Sequence, residues 1–594
     1  MRHGLTRGLG AVLLCLAAAC GGDDDDAGSG TATPTSTTTT EPTATRSNTA
    51  AATATATNVA ATATPTTDSG STATPTTSAV STATPTSEAP ATATPTNSAT
   101  ATRTGGPLSI DEQLAELIEA EGLRGSPRLA EPRLTSDQFE IRELRRELGR
   151  NLFFDHALSG VEQTSCGTCH HAAFQFTDGR AIARGVYCDF IPEVSILCSD
   201  APAEGEGGNV VGVERSSPLN SRNSPTLINS ALYVRQMWNG RFRFLDTSSN
   251  DVNECNPDFG FRFPSPEGDL FTRSLLTAQA HIPVVELVEM TGDFPDFTGE
   301  IEEADHLNPE VREGLTTRLD FTPAYRALFE EAYPEDRPDL RLSDLDPEVG
   351  PNDDLPFLAI ADAMGHFQES LVMTDSPWDR YVLGDRDAIP DAAKRGAVAF
   401  YEDRRCSGCH AGDLLSDFVN HNIGVPQVGP GTGRFDMGDA NYQGLANWDF
   451  GLEEITTNRE DRFKFRTPPL RGVALTPPYM HNGCYATLES AIRHHIDPAA
   501  AYADFDMTQL EPDVAAFGLN PASAVFDARN PVVLGPQPNQ QRIDLSDDEV
   551  ADLIAFLVSL TDPAMLDAAS LAPETVPSGL PVDVLGSRAF PVTQ

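Results

Sequence analysis

The sequence predicts a mainly α-helical protein with long loops, preceded by a disordered stalk. Three observations predict it. Residues 27–104 are almost entirely Thr, Ala, Pro and Ser and have nothing with which to build a core. Beyond them, apolar residues recur at helical spacing behind Ser or Thr capping signals, and strand signals are short and scattered.

From the N-terminus, Arg2 and Arg7 precede an apolar run from Leu9 to Ala19 that ends in Ala17, Ala18 and Ala19 before Cys20. This is the pattern of an export signal, too short for a mature membrane span. Residues 1–20 therefore read as a lipoprotein-type signal peptide with Cys20 as the acylated residue; a cleaved signal without lipid is the alternative. Residues 21–106 read as a Thr/Ala/Pro/Ser-rich linker, a flexible tether spanning roughly 50 Å on average. The expected location is periplasmic or at the cell surface, anchored to the membrane by lipid. The net charge of −46 excludes nonspecific nucleic-acid binding and favours basic soluble partners, although the run Asp23 to Asp26 shows that part of it only solvates the chain.

From residue 107 the composition is globular and long enough for two or three domains. Ser109 and Glu112 form a capping box before Leu114, Leu117 and Ile118, and Ser546 and Glu549 do so before Val550, Leu553, Ile554 and Leu557. Helices are also expected over Pro356–Leu371, with proline in the first turn, and over Asp391–Tyr401. A boundary near Gly384 gives an N-terminal domain over 107–384, a C-terminal domain over 385–564 and a tail over 565–594.

The chemistry lies in the cysteines. Cys166-Gly-Thr-Cys169-His170 and Cys406-Ser-Gly-Cys409-His410 are CxxCH motifs, whose thiols form thioethers to haem vinyl groups while the histidine becomes the proximal iron ligand. Two such motifs, with no further paired CxxC to complete a zinc cage, point to two covalently bound haem c groups. Their wide separation in sequence places them in two cytochrome c-like domains. Outside the signal region, Cys188, Cys198, Cys255 and Cys484 remain; in an oxidising compartment the short loop makes a Cys188–Cys198 bridge plausible, with Cys255–Cys484 then the remaining pairing, and the sequence leaves the connectivity open.

Over most of residues 130–562 the chain resembles the bacterial dihaem cytochrome c peroxidases and their MauG-type relatives. The blocks that carry the resemblance are Leu148 to Phe154, the first CxxCH, Phe176 to Arg180, Arg222 to Thr226, Gln236 to Arg241, the second CxxCH and Pro478 to Gly483. The second haem needs a sixth ligand. In a helix capped by Thr487, Leu488, Ala491, Ile492 and His495 share one apolar face while His494 points about 100° away. His495 is therefore the expected ligand opposite His410, with a buried core histidine as the alternative and Met480 as a rival. Bis-histidine ligation lacks the thioether that raises haem potential, which puts the family's usual cytochrome donor in question. The first haem reads as open: residues 172–222, where typical family peroxidases hold a capping histidine, contain none, and the adjacent His171 cannot reach the opposite face.

The resemblance also implies a glutamine and, ten residues on, a glutamate over that open face, here Gln279 and Glu289. Glu289 would take a proton from hydrogen peroxide and return it to the leaving oxygen, with Gln279 orienting it. Solvent-facing loop residues are the alternative, and Glu286 is a competitor. Trp238 matches a tryptophan between the haems that relays electrons, although a large aromatic also fits a core. Asn223 with the backbone carbonyls of Thr476 and Pro478 matches a calcium site, the asparagine being alternatively a turn residue.

Together these residues imply reduction of hydrogen peroxide to water with electrons entering through the second haem from a small c-type cytochrome or copper protein. MauG-type oxidation of a protein or organic substrate is the second reading, and a non-enzymatic electron-transfer cytochrome the third. An open iron favours the two enzyme readings.

Overall fold

The structure, a computed structural model, describes residues 108–128, 135–186, 210–211, 219–246, 251–253, 275–292, 307–334, 357–404, 406–432, 448–527, 531–533 and 543–585. The expected signal and stalk, the Cys188–Cys198 bridge and Cys255 lie outside the described residues, while Cys484 is buried.

Eight α-helices of nine or more residues carry the described fold: α1 (Ile110–Glu121), α2 (Ser136–Phe154), α3 (Leu307–Asp320), α4 (Pro323–Ala332), α5 (Phe357–Glu369), α6 (Asp391–Tyr401), α7 (Leu488–Ile496) and α8 (Asp547–Ser559). The fold is mainly α. Both expected capping boxes form: Ser109 Oγ accepts from Glu112 N at 3.4 Å while Glu112 Oε2 accepts from Ser109 N at 2.9 Å, and Ser546 and Glu549 repeat the exchange at 3.3 and 2.8 Å. A third box, Thr135 with Gln138, starts α2.

Two helix crossings organise the cores. In the first, α2 meets α5 at Gly149, where an added Cβ would lie 1.9 Å from Ala363 O; in the second, α6 meets α8 at Gly396, with the same 1.9 Å to Asp552 O. Backbones this close leave no room for a side chain, so glycine is required by the approach itself. Around α2 and α5 pack Leu315, Tyr325, Phe329 and Ile360, continued by a cage of Phe153, Phe154, Phe176 and Phe367. Around α6 and α8 pack Leu114, Trp378, Tyr381, Phe400 and Phe556.

These cores draw on residues from both ends of the described chain. Residues Ala101–Gln594 form one compact unit. Leu114 and Leu123, assigned to the N-terminal domain, are buried in the second core with Trp378 and Tyr381, and Tyr381 Oη donates to Asp111 in α1 at 2.7 Å. Conversely, Met565, Ala568 and Val576, read as the start of a tail, are buried against the phenylalanine cage of the first core. That segment is further tied by Arg150 Nε to Leu571 O at 2.7 Å and by parallel pairing of β1 (Val210–Val211) with β7 (Val584–Leu585). The two ends are thus exchanged between the cores. The amphipathic pattern of α1 says that a face is buried, not against which partner.

The remaining described strands are short: an antiparallel sheet of β2 (Arg235–Gln236), β3 (Phe242–Asp246) and β4 (Asp251–Asn253), and the pair β5 (Asn420–His421) with β6 (Phe465–Arg466). Among the described residues no single helix is long and apolar enough to cross a membrane.

Candidate active site

Each CxxCH segment is a tight turn that ends by presenting its histidine. His170 N donates to Cys166 O at 2.9 Å, and His410 N to Cys406 O at the same distance. A Cβ at Gly167 would sit 2.5 Å from Phe154 Cδ1, so glycine lets the first turn pack directly on that ring. The turn is clamped from the chain end: Asp583 accepts from Thr168 Oγ1 and lies 3.2 Å from His156 Nε2. Cys166 packs on the first core and Cys406 on the second.

Three imidazoles are fixed alike. Nδ1 of His170 donates to Phe176 O at 3.0 Å, that of His410 to Leu415 O at 3.1 Å, and that of His495 to Ala491 O at 2.8 Å. With Nδ1 carrying the proton, Nε2 keeps its lone pair, which is how a metal-ligating histidine is oriented. Burial lowers all three pKa values, that of His410 to about 4 with His495 as the second cause. The rings are therefore neutral, the form that ligates.

The ring centroids of His410 and His495 are 6.3 Å apart. Two metal–imidazole bonds of about 2 Å, plus about 1.1 Å from each ring centre to its Nε2, fill that span. Leu488, Ala491, Ile492 and His495 of α7 all line the same cavity as His410. His494 also turns inward, but elsewhere: it is fully buried, with Nδ1 2.9 Å from Tyr485 Oη and Nε2 2.8 Å from Ile423 O, so both nitrogens are spent on structure. Met480 lines the cavity as well, while among the described residues no second imidazole faces His170 as His495 faces His410.

One cavity of about 650 Å³ is lined by both cysteine pairs, by His170, His410 and His495, and by Trp238, Gln279 and Glu289. Thiols and neutral imidazoles lining one cavity are the donor set that covalent haem attachment requires, so these residues fit the two groups.

Glu289 lies in a π-helical turn, Leu287–Thr291, a geometry that often re-aims a functional side chain. Its Oε2 is buried and has no hydrogen-bond partner among the described residues. Burial, then the charge of Glu286, push its pKa up to about 7 against the opposing pull of Arg241. It sits beside the first motif, because after burial its charge is the next cause that drives the Cys166 thiol up to about 12. Glu286 instead faces Arg241 at 3.7 Å with its side chain 39% exposed. Gln279 ends the short helix Leu275–Gln279, with Nε2 4.0 Å from Met237 Sδ. Both Gln279 and Glu289 thus sit on the cavity wall rather than on a solvent-facing loop.

Trp238 is pinned at both ends: Nε1 donates to Asn223 O at 2.9 Å and its carbonyl accepts from Arg466 N at 2.8 Å. Asn223 is buried, donates from Nδ2 to Arg180 O at 2.7 Å and shares the cavity wall with Thr476 and Pro478. Arg222 is held by Asp449 at 2.6 and 2.8 Å and by Glu454 at 2.7 Å.

Sequence reasoning missed two cavity residues. His421 pairs with Asp417 at 2.8 Å and is pushed up to about 10 by that hydrogen bond first and by Cys409 next. The cluster of Cys409, Asp417 and His421 could hold a metal ion by geometry, but the Cys409 sulfur belongs to the attachment motif. Arg466 is the other, in a segment that carries no motif of its own; nothing in a sequence marks a buried arginine as lacking a carboxylate.

Residues 143–387 match the family model described as di-haem cytochrome c peroxidase. The chain is 25% identical over 429 residues to methylamine utilization protein MauG of Methylophilus methylotrophus, covering 72% of this chain and 85% of that one. It is 26% identical over 452 residues to cytochrome-c peroxidase IdrP1 of Pseudomonas sp. (strain SCT), covering 73% and 86%. It is 27% identical over 352 residues to cytochrome c551 peroxidase of Pseudomonas aeruginosa, covering 59% and 71%. By this match over residues 143–387, and by relatives that carry both the peroxidase and the MauG names, the chain is similar to the di-haem cytochrome c peroxidases, a likeness that implies two c-type haems.

Proposed function

We propose that this protein is an oxidoreductase that reduces hydrogen peroxide to water, as the cytochrome c peroxidases among its relatives are named for. The observation that carries the reading is Glu289: a buried carboxyl on the cavity wall beside the first attachment motif, with an unpartnered oxygen and a pKa near neutrality. Cys166, Cys169 and His170 would hold one haem and Cys406, Cys409, His410 and His495 the other; the two groups would supply electron transfer and, at the first site, the centre at which peroxide reacts.

The protein's own part is proton movement and positioning. Glu289 Oε2 accepts a proton from one peroxide oxygen and delivers it to the other as the O–O bond breaks; a group titrating near 7 can do both at neutral pH. Two electrons and two protons per peroxide give two waters. Gln279 borders the same space and orients the carboxyl or the peroxide. Trp238, whose indole is fixed on the cavity wall, would relay electrons between the two attachment sites. With their Nδ1 atoms anchored, His410 and His495 would both offer Nε2 to the second haem and leave that site closed to peroxide.

The finer assignments follow from the same reading. Electrons come from a small c-type cytochrome or copper protein, calcium is held by Asn223, Thr476 and Pro478, and the chain is exported and lipid-anchored through Cys20. Turnover of the purified dihaem protein with peroxide and reduced donors is the test: fast turnover is expected. Consumption of one equivalent of peroxide to give a long-lived oxidised protein, with negligible turnover, would replace the peroxidase reading by MauG-type substrate oxidation.

A further inference from the structure

Arg466 is 4% exposed and lies on the cavity wall. Its Nε donates to Met237 O and its Nη1 to Thr467 O, both at 3.1 Å, and its guanidinium lies 5.8 Å from the Tyr233 ring and 5.7 Å from the Phe418 ring. Among the described residues no carboxylate lies within ion-pair distance of it. The other buried guanidinium groups nearby are matched: Arg222 by Asp449 and Glu454, Arg471 by Asp379 in a bidentate pair at 2.7 Å. Burial lowers its pKa to about 10, and Arg235 adds to the lowering, yet it stays a cation at neutral pH.

A buried cation without a counter-charge costs several kcal/mol, so a fold that keeps one holds it for an anion that arrives later. The cavity that Arg466 lines is the one into which both attachment motifs open. Its place in the chain puts it on the second-site side: Pro468, two residues on, offers its carbonyl to the His410 ring, and Arg466 N donates to Trp238 O. A haem brings two carboxylates of its own, and a planar guanidinium matches a carboxylate in bidentate geometry.

We propose that Arg466 binds a propionate carboxylate of the second haem and, by neutralising it between Trp238 and His410, raises that haem's reduction potential. The proposal rests on the dihaem reading above. A positive charge beside the iron favours the less positive ferrous state, so the arginine offsets part of the lowering that bis-histidine ligation brings. Arg466 is a positioning residue and touches no peroxide.

The test compares wild type, Arg466→Gln and Arg466→Lys as haem-loaded proteins, by intact mass and by spectroelectrochemical titration. In Arg466→Gln both haems stay attached and the low-spin haem becomes harder to reduce by about tenfold in its equilibrium, about 59 mV for one electron. Arg466→Lys recovers most of that shift, which a purely structural role would not predict. An unchanged potential in Arg466→Gln overturns the proposal. Should Arg466→Gln fail to mature, a structure of the wild-type holoprotein decides: a propionate oxygen within about 3.2 Å of the guanidinium supports it, and both propionates of the second haem turned elsewhere overturn it. A wild-type mass short of two haems would instead refute the dihaem reading itself.

Discussion

Glu289→Gln separates acid–base chemistry from haem binding. One oxygen of the carboxyl is buried, and the pKa rises from 4.5 to about 7, so ionising it there costs about 3 kcal/mol more than in water. Roughly a tenth of the molecules carry the carboxylate at pH 6 and about nine-tenths at pH 8. If that carboxylate takes the peroxide proton, the second-order rate rises about tenfold per pH unit below about 7 and levels off above it. Glutamine keeps the volume but cannot accept and return a proton, so the plateau rate falls by about 10²- to 10⁴-fold, or about 3–5 kcal/mol of barrier, and the pH dependence flattens. Stopped-flow absorbance of the ferric protein mixed with peroxide measures both. Glu286→Gln is the control with its own signature. Glu286 is the second cause that raises Glu289, so removing it moves the rise to lower pH and leaves the rate at pH 8 near wild type. A Glu289→Gln protein that reacts within about threefold of wild type and keeps the same pH rise refutes the proton shuttle.

Three further outcomes follow from the geometry. His495→Ala removes the ring 6.3 Å from His410, so the low-spin signal in electron paramagnetic resonance is lost; its survival unchanged would mean another residue is the ligand. Cys166 packs on the first core and Cys406 on the second, so Cys166→Ala and Cys406→Ala each lower the covalent haem count by one on intact mass, and loss of both with either change would show that the attachments are not independent. Gly396→Ala puts a Cβ 1.9 Å from Asp552 O and costs about 1–3 kcal/mol, read as a lower unfolding midpoint with unchanged haem spectra; an unchanged midpoint would contradict the tight crossing of α6 and α8.

Local signals were legible because local physics sets them. The capping boxes at Ser109 and Ser546, the helix Asp391–Tyr401 and the apolar face that brings His495 to the cavity all depend on residues within two turns of one another. What the sequence hid is pairing at a distance. The amphipathic α1 and the segment after Thr561 show which side is buried, yet each serves the core that its position in the chain would not assign to it. The same limit appears inside α7: His494 leaves the apolar face by periodicity but is buried because Tyr485 and Ile423 arrive from outside the helix to meet it. Glu289 could be placed through resemblance alone. Its elevated pKa comes from burial and from Glu286, and no residue pattern states how much of a carboxyl is withdrawn from water.

On the proposed reading His410 and His495 close one site while the other stays open beside Glu289. Electron paramagnetic resonance of the frozen ferric protein, before and after one equivalent of hydrogen peroxide, tests it most directly. One high-spin and one low-spin haem are expected at rest, with the high-spin signal lost promptly on mixing. Two low-spin haems at rest and no response to peroxide would contradict it, and would leave a protein that only carries electrons.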